Sequence, residues 1–231
     1  MKGRNRNNIR IPSPLPLITV LVTERQPYLF AGPSGRMRDV TDIHESFGGD
    51  RLPPGQRETD RFPVLSKGET PSIPTDPTVE VWGAVETTLT RPLSEFMELE
   101  SETQKQDFHC VTGWSRFDCV FRGVPFSTLA DHVGVRNDAA HVLFHAHDGY
   151  TTDLPLSDCL REGVLLAWAF DGEPLQADHG GPLRVVTPHK YAYKGAKWLS
   201  GVEILTDPER GYWEKRGYST DANPWDEARY A

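Results

Sequence analysis

The chain has 231 residues, with 25 lysines and arginines against 33 aspartates and glutamates, so its formal charge is -8. Because an acidic surface repels phosphate, we expect it to bind neither nucleic acid nor an anionic membrane, although a local basic cluster could still hold one anion. The three cysteines include no CxxC pair, which excludes a disulfide scaffold and fits a reducing compartment.

The N-terminal part of the chain predicts little regular structure. Residues 1–51 contain many Asn, Arg, Pro and Gly residues, so we expect a poorly ordered extension there. Its apolar stretch IPSPLPLITVLV is broken by prolines and is followed by no small-residue cleavage pattern. We therefore interpret it as neither an export signal nor a membrane span, and we expect a cytoplasmic protein. Residues 52–77 are rich in proline and polar side chains, which favours an extended segment around the apolar group at 62–65.

Patterned sequence begins near residue 78. Residues 78–83 alternate between polar and apolar side chains and predict a strand. Residues 90–96 predict the start of a helix with an early proline, and 108–112 form a short apolar run. The remaining predicted elements are a short helix at 124–133, a strand at 141–147, a helical turn at 156–160, a buried strand at 164–170, and strands at 183–186 and 198–205. Many short strands with few short helices indicate a strand-rich mixed α+β domain over 52–231.

The segment FHCVTGWS holds the first candidate for chemistry, Cys110. A thiolate is a soft ligand that suits a redox metal, and a cysteine at the end of a strand can point into a cleft. The alternative is that Cys110 is a small buried apolar side chain.

A histidine group provides the second candidate. His145 and His147 share one face of the predicted strand that also carries His141, and two imidazoles on one face can chelate a metal. A zinc site would need a third ligand, such as Asp148, His109 or Cys110. The alternative is that these histidines are packed or face solvent.

A basic, glycine-containing segment forms the third candidate. In DHGGPLRVV and the following KYAYKGAKW, glycines allow close approach of the backbone, while Arg184, Lys194 and Lys197 supply positive charge. Such a cluster in an acidic chain indicates an anionic ligand, and the alternative is a turn with surface lysines. No Walker-type phosphate loop or dinucleotide fingerprint is present.

These candidates occur together, in this order, in one known family. From about Pro54 to Tyr230 the chain resembles the sulfite-oxidase-type molybdopterin oxidoreductases, and most closely their short, single-domain bacterial members. The carrying segments are FPVLSKG, HCVTGWS, ADHGGPLRVVTPHKYAYKGAKWLSGVE and GYWEKRGYSTDANPW. The resemblance implies a sulfite-oxidase-type fold with molybdenum and molybdopterin as cofactors.

The resemblance also implies roles for individual residues. Cys110 matches the cysteine that ligates the metal, and a pterin dithiolene supplies two further sulfur ligands in that family. His179 and Arg184 match positions that hold the pterin and its phosphate. A later contact matches Gly195, Ala196 and Lys197, with Lys194 beside them. His145 or Ala146 falls near a further contact, and 62–65 corresponds to an N-terminal strip that touches the cofactor.

The segment after the metal cysteine bears on the substrate. Sulfite oxidases carry an arginine there, whereas this chain has Trp114, and its next arginine is Arg116. The segment is closer to the bacterial peptide methionine sulfoxide reductases of the same superfamily. The candidates for the substrate wall are His109, Trp114, Arg116, His145 and His147.

The resemblance therefore predicts oxygen-atom transfer on a small sulfur- or nitrogen-containing substrate, with electrons exchanged through an unidentified carrier. Two alternatives stay open at this point. One is a non-catalytic protein that binds molybdopterin, and the other is a zinc protein built on His145, His147 and Cys110.

Overall fold

The computed structural model describes residues 37–39 and 50–231. Most of the predicted N-terminal extension therefore lies outside the described residues, and Met37–Asp39 within it form a strand. In chain order, the described strands are β1 Met37–Asp39, β2 Arg57–Glu58, β3 Thr78–Gly83, β4 Leu89–Pro92, β5 Glu102–Cys110, β6 Trp114–Pro125, β7 His141–Ala146, β8 Thr151–Pro155, β9 Leu165–Phe170, β10 Glu173–Pro174, β11 Arg184–Val186 and β12 Leu199–Leu205. The described helices are α1 Leu93–Phe96, α2 Phe126–Val133 and α3 Leu156–Cys159, together with short 3-10 turns at Ala177–His179, Ala192–Lys194 and Glu214–Arg216.

The described strands form two sheets. The first has the order β1-β5-β6-β9-β10, with β11 also paired to β9 and β2 paired to β6. Its centre is the long antiparallel hairpin of β5 and β6, in which Cys110 lies opposite Trp114. The second sheet has the order β4-β3-β12-β7-β8, and β12 runs parallel to β3 but antiparallel to β7.

The main core fills the space between the two sheets. Val81 of β3 and Phe144 of β7 pack in one buried cluster with Leu166 and Trp168 of β9. Because side chains alternate along a strand, Leu165 and Ala167 of β9 point to the opposite face of the first sheet. There they join a second, smaller buried cluster that contains Phe108, Cys110 and Trp114. The strand pattern thus places Cys110 on the outer face of the first sheet, away from the main core.

The strand-rich mixed architecture agrees with the prediction, although individual elements differ. The predicted strands at 78–83, 141–147 and 164–170 are present to within one residue. The predicted helix start at 90–96 is instead the strand β4 followed by the single helical turn α1. The sequence also predicts only a short apolar run at 108–112, whereas the structure has nine residues of β5 and twelve of β6 on either side of a turn.

Helices of the described residues are all too short or too polar to cross a lipid bilayer.

Candidate functional site

A cavity of about 290 Å³ opens where β5, the turn after it and the glycine-containing loops around β11 meet. The sequence-predicted residues that line it are Cys110, Trp114, His179, Arg184, Gly195 and Lys197. The cavity therefore brings the cysteine candidate and the basic candidate together, although they are about 70 positions apart in the chain.

Cys110 ends β5 and is held by a tight turn. The Gly113 amide donates to the Cys110 carbonyl at 3.0 Å, and Gly113 has a φ of 93°, a conformation that glycine adopts without strain. The Cys110 side chain lines the cavity, while only 7% of the residue is exposed. Burial raises the pKa of the Cys110 thiol, whereas hydrogen bonding to Thr112 and the charges of Arg229 and Lys197 oppose that rise. A cationic metal at this sulfur would add to those opposing charges and favour the thiolate.

Residues far away in the chain fix the backbone of this turn. Gln56 donates from Nε2 to the Cys110 carbonyl at 3.2 Å, and it accepts a hydrogen bond from the Ser115 hydroxyl at 3.3 Å. Arg229 donates to the Val111 carbonyl and, at 3.3 Å, to the Gly55 carbonyl. The loop that presents the sulfur is therefore connected both to the extended N-terminal strap of residues 52–77 and to the C-terminal segment.

Arg184 supplies a buried positive charge to the cavity. Only 2% of the residue is exposed, and its guanidinium donates to the backbone carbonyl of His179 at 2.9 Å. Within residues 37–39 and 50–231, no acidic side chain forms an ion pair with it. Burial lowers its pKa to about 10, so it remains a cation at neutral pH. Since a buried charge without a counter-charge is costly, this arrangement favours an anionic ligand in the cavity.

Lys197 places a second cation at the same cavity. Its Nζ atom donates to the Asp178 carbonyl at 2.7 Å. Burial, together with the charge of Arg184, lowers its pKa to about 8. A Cβ atom added at Gly180 would lie 2.9 Å from the Lys197 side chain, and Gly180 has a φ of 102°. The glycine therefore allows the lysine and its loop to approach closely, as the sequence pattern suggests.

Aromatic rings form another wall of the cavity. The ring of Phe62 stacks on the imidazole of His179 with centroids 4.5 Å apart and an interplanar angle of 5°. Phe108 lies edge-on to Phe62 at 4.9 Å and stacks on Trp114 at 5.9 Å. The extended segment that carries Phe62 thus covers one side of the cavity. The cofactor contact that the resemblance implies for 62–65 stays a prediction.

Several predicted site residues lie elsewhere. Lys194 is fully buried, and its Nζ atom lies 2.5 Å from Oε1 of Glu214, so its side chain does not line the cavity. Ala196 is buried, and its carbonyl accepts a hydrogen bond from the Val185 amide at 2.8 Å. The cofactor contacts expected of Lys194 and Ala196 stay predictions.

The remaining candidates for the substrate wall are also outside the cavity lining. Arg116 pairs with Asp171 at 2.9 Å. His145 lies in the second sheet, where its Nε2 atom is 2.9 Å from Oε2 of Glu203, and His147 is exposed in the turn after β7. His109 is buried behind the Cys110 turn, with Nδ1 at 2.8 Å from the Ser115 hydroxyl.

The zinc hypothesis requires His145, His147 and Cys110 to meet. In the part of the chain that the structure describes, no group of three or more His, Cys, Asp or Glu side chains has a geometry that could hold a metal ion. His145 and Cys110 also belong to different sheets. These three residues therefore do not form the site that this alternative needs.

The sequence interpretation missed Thr112, Gln56 and Arg229. Thr112 lies within the quoted HCVTGWS motif, so its closeness to Cys110 in the chain was a usable signal. Gln56 and Arg229 act on backbone carbonyls 54 and 118 positions away, for which a single sequence contains no signal.

Comparison with known proteins identifies the family. Residues 67–213 match the oxidoreductase molybdopterin binding domain. The chain is 42% identical over 182 residues to the uncharacterized oxidoreductase YuiH of Bacillus subtilis, covering 78% of this chain and 92% of that protein. It is 33% identical over 141 residues to the putative protein-methionine-sulfoxide reductase subunit YedZ1 of Azospira oryzae, covering 61% of this chain and 53% of that one.

More distant relatives agree with this result. Human mitochondrial sulfite oxidase is 34% identical over 87 residues, which cover 34% of this chain and 16% of that enzyme. The fold resembles that of the sulfane dehydrogenase SoxCD from Paracoccus pantotrophus, with a TM-score of 0.56 at 16% identity, over 92% of this chain and 65% of that chain. The family membership that the sequence motifs predict is confirmed. The chain belongs to the oxidoreductase molybdopterin-binding domain family, and it is an oxidoreductase whose cofactor is the molybdenum cofactor.

Proposed function

We propose that the chain catalyses oxygen-atom transfer on a small sulfur- or nitrogen-containing substrate, with Cys110 as the protein ligand to molybdenum. One observation carries the proposal: the sulfur of Cys110 opens to the same cavity as the buried guanidinium of Arg184, which lacks an acidic partner within the described residues. A soft thiolate and a buried cation are the two groups that a metal joined to a phosphorylated organic cofactor needs from a protein.

Different residues of the cavity would hold different parts of this cofactor. Cys110 would ligate the metal, and Arg184 and Lys197 would neutralise the phosphate. Gly195 lines the cavity, so its backbone can approach the cofactor closely, and the stacked pair of His179 and Phe62 would bound the pterin. When bound, the cofactor supplies the two-electron redox chemistry, while these residues supply orientation, charge and exclusion of water.

The charges around the cavity favour a neutral substrate over an oxyanion. Arg116 is held by Asp171 at 2.9 Å and does not line the cavity, where Trp114 is present instead. Among the described residues, the cations of the lining are Arg184 and Lys197, which the cofactor phosphate would occupy, and Lys67, which pairs with Asp148 at 3.2 Å. An anion such as sulfite would therefore find no additional free cation in this lining.

We accordingly favour reduction of an S-oxide or N-oxide. In that direction two electrons from the carrier and two protons enter, the S–O or N–O bond breaks, and the reduced substrate leaves with one water. The relative YedZ1 is named as a putative protein-methionine-sulfoxide reductase subunit, which is consistent with this direction.

The first test is a comparison of cysteine variants in a host that makes the molybdenum cofactor. Wild type, C110A and C119A are purified, and molybdenum and pterin are measured for each. Cys119 is a suitable control because it is also a buried cysteine of the first sheet but does not line the cavity. We expect about one molybdenum per chain in the wild type and in C119A, with loss of activity and of the thiolate-to-metal absorption band in C110A.

Turnover assays distinguish reduction of an S-oxide or N-oxide from oxidation of sulfite. The wild type is assayed for reduction of dimethyl sulfoxide and of trimethylamine N-oxide with a reduced artificial carrier, and for oxidation of sulfite with an oxidised one. Reduction without sulfite oxidation supports the proposed direction, whereas the reverse pattern contradicts it. Turnover of any of these compounds argues against the non-catalytic alternative, whereas bound molybdenum without turnover contradicts the proposed substrate class.

A further inference from the structure

The hydroxyl group of Thr112 lies beside the sulfur of Cys110. Oγ1 of Thr112 is 3.2 Å from Sγ, within the distance of a hydrogen bond to sulfur. The turn that follows β5 produces this contact, because the Gly113 amide closes it on the Cys110 carbonyl and so folds Thr112 back over the cysteine. Thr112 also lines the cavity, so the residue that contacts the sulfur borders the same space as Cys110.

The direction of this hydrogen bond follows from the chemistry of the sulfur. In a free thiol either atom could be the donor. A thiolate bound to a metal carries no proton and can only accept, so the Thr112 hydroxyl must then donate. A hydrogen bond to a ligating sulfur withdraws electron density that the sulfur would otherwise give to the metal.

We propose that Thr112 is a positioning residue of the metal centre, which donates a hydrogen bond to the ligating sulfur of Cys110 and so raises the reduction potential of the bound metal. This inference rests on the proposed function, because it requires Cys110 to be the metal ligand. Of the residues in the CVTG turn, Thr112 is the one whose side chain contributes a hydroxyl donor to the sulfur.

The backbone of the turn does not depend on this side chain. Gln56 holds the Cys110 carbonyl from one side, and Arg229 holds the Val111 carbonyl from the other. Thr112 itself is exposed, so a change of its side chain removes no buried packing. A substitution can therefore remove the hydroxyl while the loop keeps its shape, which separates an electronic role from a structural one.

Two variants make the test specific. T112V keeps the branched shape of threonine and removes the hydroxyl, while T112S keeps the hydroxyl and removes the methyl group. Both are purified with the wild type from a host that makes the molybdenum cofactor, and C110A is included as the reference without a thiolate. Molybdenum content, the energy of the sulfur-to-metal absorption band and the midpoint potential of the metal are measured for each.

We expect full molybdenum content in the wild type and in both variants of Thr112. In T112V the absorption band should move to lower energy and the potential should fall, because the sulfur becomes a stronger electron donor. T112S should restore both properties to the wild-type values.

Two results would overturn the inference, and they are distinguishable from each other. If all three proteins bind molybdenum and show the same band and potential, or if T112S shifts as far as T112V, the hydroxyl does not tune the metal, while the proposed function stands. If C110A keeps the absorption band of the wild type, Cys110 is not the ligand, and the proposed assignment of the metal ligand fails together with the inference.

Discussion

The ammonium group of Lys194 lies 2.5 Å from the carboxylate of Glu214, and both side chains are completely buried. The same lysine donates to the Asp153 carbonyl at 2.8 Å, and the Thr152 hydroxyl donates to the glutamate at 2.8 Å. The pair joins the 3-10 turn at Ala192–Lys194, which borders the cavity, to the C-terminal segment. A lysine that the sequence pattern assigns to the cofactor thus has a partner inside the protein.

Removing the charge of Glu214 should destabilise the fold. In E214Q the buried ammonium of Lys194 loses its nearer counter-charge and keeps only the Asp153 carboxylate, at 3.6 Å, so we expect the free energy of unfolding to fall by about 3 kcal/mol. The double variant K194M/E214L removes both charges and should be less destabilised than E214Q. Urea unfolding followed by tryptophan fluorescence measures these changes. The surface variant K215M is the control, because Lys215 forms only an exposed pair with Glu209, and equal stability of E214Q and K215M would contradict this account.

Replacement of Arg184 should remove the cofactor and leave a folded protein. R184M deletes a buried cation that has no acidic partner among the described residues, so the phosphate loses a charge-assisted contact. We expect affinity for the cofactor to fall about 10- to 100-fold. Molybdenum and pterin content after gel filtration measure the loss. R136M is the control, since Arg136 pairs with Asp138 and does not line the cavity, and a comparable loss of cofactor in that variant would show that the effect is not specific to the cavity.

Lys197 should make anion binding depend on pH above neutrality. Its pKa is lowered to about 8, mainly by burial, so the side chain is a cation below that pH and becomes neutral as the pH rises through it. Binding of sulfate to the cofactor-free protein should therefore weaken, by about tenfold, between pH 7 and pH 9.5. Sulfate is the suitable probe because its own charge is constant over this range. Calorimetric titration measures the affinity.

The conservative variant K197R tests whether Lys197 is the titrating group. Arginine keeps its charge throughout this range, so sulfate affinity in K197R should stay nearly constant where that of the wild type falls. A sulfate affinity of the wild type that does not change with pH would contradict the assignment of Lys197 as the titrating group.

The lowered pKa of Lys197 also affects the stability of the fold. Because the folded protein binds this proton less tightly than the unfolded chain does, the contribution of Lys197 to stability should increase as pH rises from about 8 toward the usual lysine pKa.

The fold was predictable from the sequence where burial follows a simple period. Residues 78–83 alternate, and 164–170 are apolar throughout, so both strands could be recognised. The hairpin of β5 and β6 could not be recognised from the sequence, because its buried positions include polar side chains. Asp107, for example, is buried in β5 and is neutralised by Arg51 at 2.7 Å, a partner 56 positions away. When the charged partner of a buried polar residue is so far away in the chain, the sequence alone indicates a loop or surface residue at that position.

The residues of the candidate site could also be predicted only in part from the sequence. Cys110 and Arg184 lie in dense local motifs, and the structure brings them to one cavity. Lys194 differs because a lysine in such a motif can serve a ligand or a buried carboxylate, and its partner Glu214 is 20 positions later. Gln56 and Arg229 were beyond the reach of the sequence, since they bind backbone carbonyls, which every residue has.

Phe62 should control how long the cofactor stays bound. Its ring stacks on His179 at 4.5 Å and is carried by a segment without regular structure, so the stacked pair is one of the contacts that hold this strap against the cavity, beside Phe62–Phe108 and the Lys67–Asp148 pair. Loss of one such pair costs about 0.5–1.5 kcal/mol, and in F62A we expect cofactor to dissociate about two- to tenfold faster. The release of pterin into excess scavenging apoprotein, followed by fluorescence after oxidation, gives the rate. V64A is the control, because Val64 belongs to the same strap but is 46% exposed and does not line the cavity. Equal dissociation rates in F62A and V64A would mean that the strap covers the cavity without retaining its contents.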